Sequence, residues 1–394
     1  MKKNILTALK KIYITSHFGF FIIFFVLLVI AFFTFPDHFI NAISYSSKNS
    51  TKENTTQNII IKDVTKIDVE KLPPLDKVAY DAKMLELANN PAPKPPTTKI
   101  VKDPKTGIET TVTIEPKPTP PSIWPVKTVY PNAGAILPFN RIIAYYGNLY
   151  SRKMGVLGEY DEEIMFQKLQ TEVKKWEEAD PNTPVIPALH YIAVVAQGSE
   201  GKDGKYRARM PDKEIDKVIA MATKINAIVF LDIQVGFSTL QSEIPHFEKY
   251  LKLPNVHLGV DPEFSMKGNI RPGKVVGTLD ATDINFAAEY LAKLVKDNNL
   301  PPKVLVVHRY TGKMVTNYKQ IKPLPEVQIV MHMDGWGGGA KKIGTYRNFI
   351  YPEPVQFTGF KLFYKNDLWP PSTAILTPKE LLNLNPRPSY IQYQ

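Results

Sequence analysis

DKEIDKVIAMATKINAIVFLDIQVGFSTLQSEIPHFEKYLKLPNVHLGVDPE, residues 212–263, decides the fold. Asp212–Lys224 sets Ile215, Val218, Ile219 and Ala222 at the three- and four-residue spacing of a helix with one buried face. Ala227–Gln234 (AIVFLDIQ) is then continuously apolar until Asp232, as in a strand covered on both sides. Helical spacing returns over Ile244–Leu251, and Val256–Glu263 (VHLGVDPE) repeats the strand pattern, ending on carboxylates. A strand, a helix and a second strand in such short order read as a parallel βαβ unit.

The rhythm extends in both directions. Upstream lie Arg141–Tyr146 (RIIAYY) and Val185–Ala196 (VIPALHYIAVVA), with a helical pattern at Glu162–Glu178 between them. Downstream come Val304–Arg309 (VLVVHR), Val327–Asp334 (VQIVMHMD) and Phe357–Tyr364 (FTGFKLFY). The helical stretch Asp280–Asn298 offers Asp280 or Thr282 as its N-cap. Seven strand runs are visible and no eighth stands out, so the expectation is an α/β, TIM-barrel-like domain over 124–394, complete or irregular. A doubly wound sheet is the alternative, but no glycine-rich first turn supports nucleotide binding.

Ahead of the domain the composition changes. Fourteen of the 34 prolines fall between Pro73 and Pro138, which marks residues 36–123 as a spacer. PAPKPP (Pro91–Pro96) and PKPTPP (Pro116–Pro121) favour extended polyproline II. Two β-rich runs between them flank Asp103-Pro104-Lys105-Thr106-Gly107, a hairpin signal, and a short helix is expected around Lys77–Ala88.

Phe18–Phe35 (FGFFIIFFVLLVIAFFTF) is 18 uncharged residues, the lower end of what spans a bilayer. Lys2, Lys3, Lys10 and Lys11 precede it, so residues 1–17 are expected in the cytoplasm and the rest outside, a single-pass plasma-membrane protein. A cleaved signal peptide is the competing reading, but Ala42-Ile43-Ser44 makes a poor cleavage site.

There are no cysteines, which excludes disulfides, thiol catalysis, cysteine zinc sites and a lipid-modified N-terminal cysteine. The net charge of +11 divides as +3 over 1–45, +2 over 46–123 and +6 over 124–394. A mildly basic domain suits anionic wall polymers or a solvated surface. No arginine-rich block with interleaved aromatics supports nucleic acid.

Polar residues gather where the strands end: Asp232 and Gln234, Asp261 and Glu263, His308 and Arg309, His332 and Asp334, with Tyr145, Tyr146 and Gln197 closing the first two runs. In barrels that rim carries the active site. At the end of the strand Val256–Glu263, Asp261-Pro262-Glu263 sets both carboxylates on one side, facing one pocket about 6.6 Å apart at the backbone. Repulsion then raises the proton affinity of one while the other stays ionised, the division of labour in glycoside hydrolysis. Gly335-Trp336-Gly337-Gly338-Gly339 follows Asp334, and Trp336 offers a flat face for a sugar ring or packs into the wall. His308, His332, Asp232 and Asp334 could ligate a metal, but no H-x-H or H-E-x-x-H spacing appears. Metal-free chemistry is favoured, with no metal or cofactor expected. His190 and His257 sit inside apolar runs and read as core histidines.

AYYGN (144–148), GVLGEY (155–160), VVAQ (194–197), LDIQ (231–234), GVDPEF (259–264), VVHRY (306–310) and MHMDGWG (331–337) together resemble a little-characterised group of bacterial surface proteins and lipoproteins. The barrel domain of that group is similar to glycoside hydrolases. Members often carry a lipobox cysteine, for which this chain substitutes its apolar segment. The resemblance implies a fold and no established substrate. A fainter likeness is to barrel muramidases and chitinases, which place D-x-E at a strand end. It implies Glu263 as acid and Asp261 as its assistant, although Tyr145 and Tyr146 stand where muramidases carry a first-strand acid. The expected function is a membrane-anchored glycoside hydrolase acting on peptidoglycan or another envelope polysaccharide. Its catalytic residues would be Glu263, Asp261 and Asp334, with the other strand-end residues binding substrate. A non-catalytic barrel holding a wall polymer or a partner protein is the alternative, and a metal-dependent hydrolase the third.

Overall fold

Each apolar run of the domain becomes a strand because its β-branched side chains suit a pleated surface buried on both faces. The strands are β1 (Arg141–Gly147), β2 (Val185–Ala196), β3 (Ile228–Ile233), β4 (Val256–Val260), β5 (Lys303–Arg309), β6 (Val327–Met333), β7 (Phe357–Leu362) and β8 (Tyr390–Tyr393). They belong to a computed structural model that describes residues 71–92, 95–102, 104–115 and 121–394. The segment 1–17, the span Phe18–Phe35, residues 36–70 of the spacer and most of its second proline-rich stretch (116–120) lie outside the described residues. Among the described residues, no helix is long and apolar enough to cross a membrane.

Every strand pairs in parallel with the next, and β8 pairs with β1, closing an eight-stranded barrel. The eighth strand is the one the sequence did not announce. At four residues, Tyr390-Ile391-Gln392-Tyr393, it is too short to show a pattern. Outer helices α2 (Glu162–Ala179), α3 (Asp212–Lys224) and α4 (Ala281–Asp297) cover the barrel, following α1 (Lys77–Ala88) in the chain. Asp280 caps α4, accepting from the Thr282 N–H at 3.0 Å while Asp283 accepts from the Asp280 N–H at 3.1 Å. The helix expected at Ile244–Leu251 is a 3-10 turn (Ile244–Phe247) followed by a single α-turn (Glu248–Leu251).

Side chains alternate along the strands. Ile143, Leu189, Leu231, Leu305 and Ile329 point outward into the layer beneath the helices. Ile142, Ala144, Ala188, Phe230, Val304 and Val330 point inward and fill the lower half of the barrel. Tyr80, Met84 and Leu87 of α1 join that inner cluster, so this helix stoppers the mouth at which the strands begin. Its Asn89 donates to the Leu384 carbonyl at 2.8 Å, fastening it to the loop before β8. The hairpin of Thr97–Lys102 with Glu109–Ile114 is exposed along both strands.

Candidate active site at the upper mouth

Above the apolar half, the inward positions turn polar, and at the C-terminal ends of the strands they open into a cleft of about 650 Å³. Tyr146, Gln234, Asp261, Glu263, Asp334 and Trp336 line it, six of the expected residues in one place.

Asp261-Pro262-Glu263 reaches the cleft by a different geometry from the extended one expected. Strand β4 stops at Val260, and Pro262 starts a 3-10 turn in which Asp261 Oδ1 accepts from the Glu263 N–H at 3.0 Å. The turn, rather than strand alternation, turns both carboxyls toward the opening. Burial pushes the Asp261 carboxyl well above its usual range against the pull of His308, and the nearby Glu263, Asp232 and Asp334 add to the rise. Glu263 is also raised, first by burial and then by the Asp334 charge, while a hydrogen bond with Tyr310 opposes the rise.

Asp334 behaves oppositely. Its Oδ1 stands 2.9 Å from Lys361 Nζ and its Oδ2 2.8 Å from His308 Nδ1. Burial alone would raise it, but these two partners hold its carboxyl well below the ordinary range. The mouth therefore sets carboxyls of raised proton affinity beside one of lowered proton affinity, the asymmetry acid–base chemistry requires.

Directly beneath lies a buried polar layer. Asp232 receives the Tyr146 hydroxyl at 3.0 Å on Oδ2. Burial would strip His308 of its proton, yet Asp232 and Asp334 on either side lift its pKa to about 10. His190 is drawn down to about 4 by burial, only partly offset by Asp232. Both His190 and His257 were expected in the core. Both are buried there: His257 Nδ1 accepts from the Val304 N–H at 3.1 Å, and His190 stacks on Phe230 at 5.1 Å while its other side faces the polar layer. His332 is fully buried, 5.1 Å ring to ring from His308, below the cleft rather than on it.

Besides Asp232, His308 and His332, which lie beneath the cleft, three more expected site residues do not line it. Tyr145 is one position out of phase with Tyr146, so it points beneath the helices and meets Tyr364 hydroxyl to hydroxyl at 3.0 Å. Arg309 is out of phase with His308 in the same way, and binds the carbonyls of Thr311 and Gly312. Gln197 lies beyond β2, its amide near the Val195 carbonyl. Trp336 is 43% exposed and packs edge-on against Trp369 at 4.9 Å.

Two residues were missed. Lys361 is 2% exposed, and besides Asp334 its ammonium stands 3.8 Å from the centre of the Tyr146 ring. A lone lysine in the apolar run FTGFKLFY was its signal. Tyr310 follows the VVHR run directly and faces Glu263 from across the cleft.

No family model and no curated protein matches the chain. Among solved structures, similarity is found to the cellulase Cel5C_n, at 13% identity and a TM-score of 0.31, over 56% of this chain and 65% of that one. The chain thus spans just under two thirds of that enzyme. A broad-specificity endoglucanase of GH5-4 from Clostridium longisporum aligns at 10% identity and a TM-score of 0.31, over 57% of this chain and 75% of that one. A ruminal GH26 endo-β-1,4-mannanase aligns at 12% identity and a TM-score of 0.33, over 72% and 67%. Likenesses this low transfer neither residues nor substrate, and the barrel rests on its own strand pairing.

Proposed function

We propose that the chain is a glycoside hydrolase of the cell envelope, tethered by Phe18–Phe35 with its barrel outside the membrane and acting on peptidoglycan or a related wall polysaccharide. One observation carries the reading: in a single cleft, Glu263 keeps a raised proton affinity beside Asp334, which is held ionised. Glu263 protonates the glycosidic oxygen as the bond breaks. Asp334, which Lys361 and His308 keep anionic, supports the positive charge that develops on the sugar, and water then adds to the anomeric carbon and passes its proton to the Glu263 carboxylate. Asp261, with a raised proton affinity of its own, serves better as a hydrogen-bond donor than as a second anion. The exposed pair Trp336 and Trp369 supplies apolar faces for sugar rings, and the barrel's charge of +6 over 124–394 suits an anionic wall polymer.

The second reading, a barrel that holds a wall polymer or a partner protein without cleaving anything, draws on Asp334 as well. That carboxylate is 7% exposed and both its oxygens already face cations. Reducing-end release from purified wall material separates the two. Hydrolysis predicts release by the native chain and loss in both Glu263→Gln and Asp334→Asn. Polymer retention without release by any of the three selects the binding reading.

A further inference from the structure

Beneath the cleft, three atoms from three strands converge on one point. His190 Nε2 of β2 and His308 Nε2 of β5 approach the same oxygen, Asp232 Oδ1 of β3, at 3.3 and 3.4 Å. All three residues are fully buried, and the three atoms lie within 4.8 Å of one another. None of the three atoms forms a hydrogen bond of acceptable geometry. Both separations exceed the roughly 2.7–2.9 Å of a charge-assisted hydrogen bond.

The opposite end of each side chain is tightly held. His190 Nδ1 meets the Tyr390 hydroxyl at 2.6 Å, His308 Nδ1 meets Asp334 Oδ2 at 2.8 Å, and Asp232 Oδ2 accepts from the Tyr146 hydroxyl at 3.0 Å. Outer atoms bonded and inner atoms converging without partners is how metal ligands are oriented.

We propose that His190, Asp232 and His308 bind one divalent transition-metal cation, of the zinc class, inside the barrel below the cleft. Two ligands at about 2.0–2.1 Å from a tetrahedral ion stand roughly 3.3 Å apart, close to the two separations measured here. Two imidazoles with one carboxylate favour a first-row transition ion over magnesium or calcium. Room for it depends on Gly259, where a Cβ would fall 2.5 Å from both Asp232 Oδ1 and His190 Nε2. Asp232 supplies one negative charge directly, and Asp334 a second through His308. The ion would also fix the His308 ring and so the orientation of the Asp334 carboxylate above it. The proposal does not require the cleft to be catalytic, although the ion would orient a carboxylate that lines it.

The test uses the purified full chain, stripped with a chelator, reloaded with Zn²⁺ or Co²⁺, and desalted. Elemental analysis is expected to find one ion per chain, the Co²⁺ form to show the visible absorption of a tetrahedral nitrogen–oxygen site, and the melting temperature to rise on loading. Tyr390→Phe, which keeps the ring and removes only the hydroxyl holding His190, is expected to weaken Zn²⁺ binding about 10–100-fold. Glu263→Gln, in the cleft above, should bind as the native chain does. A native chain that retains no stoichiometric ion and melts unchanged overturns the proposal. So does full retention, at unaltered affinity, in Asp232→Asn and His308→Gln.

Discussion

Replacing Lys361 with methionine isolates what holds the Asp334 charge in place. The ammonium is 2.9 Å from Asp334 Oδ1, and the two side chains are 3% and 7% exposed. At an effective dielectric near 20, that separation corresponds to a gross attraction of about 6 kcal/mol. Desolvating the ammonium offsets much of it, whereas methionine fills a similar volume and opens no cavity. Removing one partner of a buried pair typically costs about 3–5 kcal/mol, because a buried charge is orphaned. Asp334 still faces His308 at 2.8 Å, so the low end, about 3 kcal/mol, is expected here. In a domain of this size, that lowers the melting temperature by about 6–12 °C. Urea denaturation of the native chain, Lys361→Met, Asp334→Asn and the double variant completes a thermodynamic cycle. The double variant should lose at least about 1 kcal/mol less than the two single losses combined. If Lys361→Met stays within about 0.5 kcal/mol of the native chain, or the losses simply add, the pair is not what stabilises the mouth.

Three further outcomes are expected. Glu263 is raised above its ordinary 4.5, so kcat/KM on wall polysaccharide should fall as pH climbs through the raised value. Folding favours its protonated form, so relative to Glu263→Gln the native chain should be most stable below about 4.5 and lose that advantage as pH rises through the folded pKa; parallel melting curves from pH 4 to 8 would contradict this. Leu87→Ala removes a side chain that is 5% exposed in the lower stopper and should lower stability by about 2–3 kcal/mol in denaturant titration, with the cleft chemistry unchanged. Trp336→Ala should raise KM, or weaken polymer retention, by about tenfold with kcat nearly constant, as loss of about 1.4 kcal/mol of ring contact requires.

Much of the barrel was legible because a strand covered on both faces is apolar over most of its length, and seven of the eight contain such a run. β8 escaped notice because Tyr390 and Gln392 face a polar interior layer, where Gln392 donates to the Tyr390 hydroxyl at 2.9 Å. A four-residue segment with that alternation resembles a surface loop. The site was legible at the level of which strand ends matter, but not at the level of phase. Tyr145 and Tyr146, or His308 and Arg309, are equal candidates until the strand is turned, and one residue of phase sends a side chain to the opposite face. Asp261 was expected to be a companion to Glu263 in an extended strand, and Pro262 made it the cap of a turn instead. His190 looked like core because its neighbours in the chain are apolar. Its polar surroundings come from β3, β5 and β8, more than 35 residues away, where no local pattern can reveal them.

The α1 stopper gives the barrel two unlike ends. The described chain enters at the end where the strands begin, so α1 lies on the side remote from the cleft. A bead attached through a side chain of α1's exposed face, by Val78→Cys or Leu85→Cys, should therefore leave the opening unobstructed to large insoluble polymers. Pulled from residue 71, the barrel feels the load first at Tyr80, Met84 and Leu87, and a chain stretched this way should shed its plug before its sheet unzips.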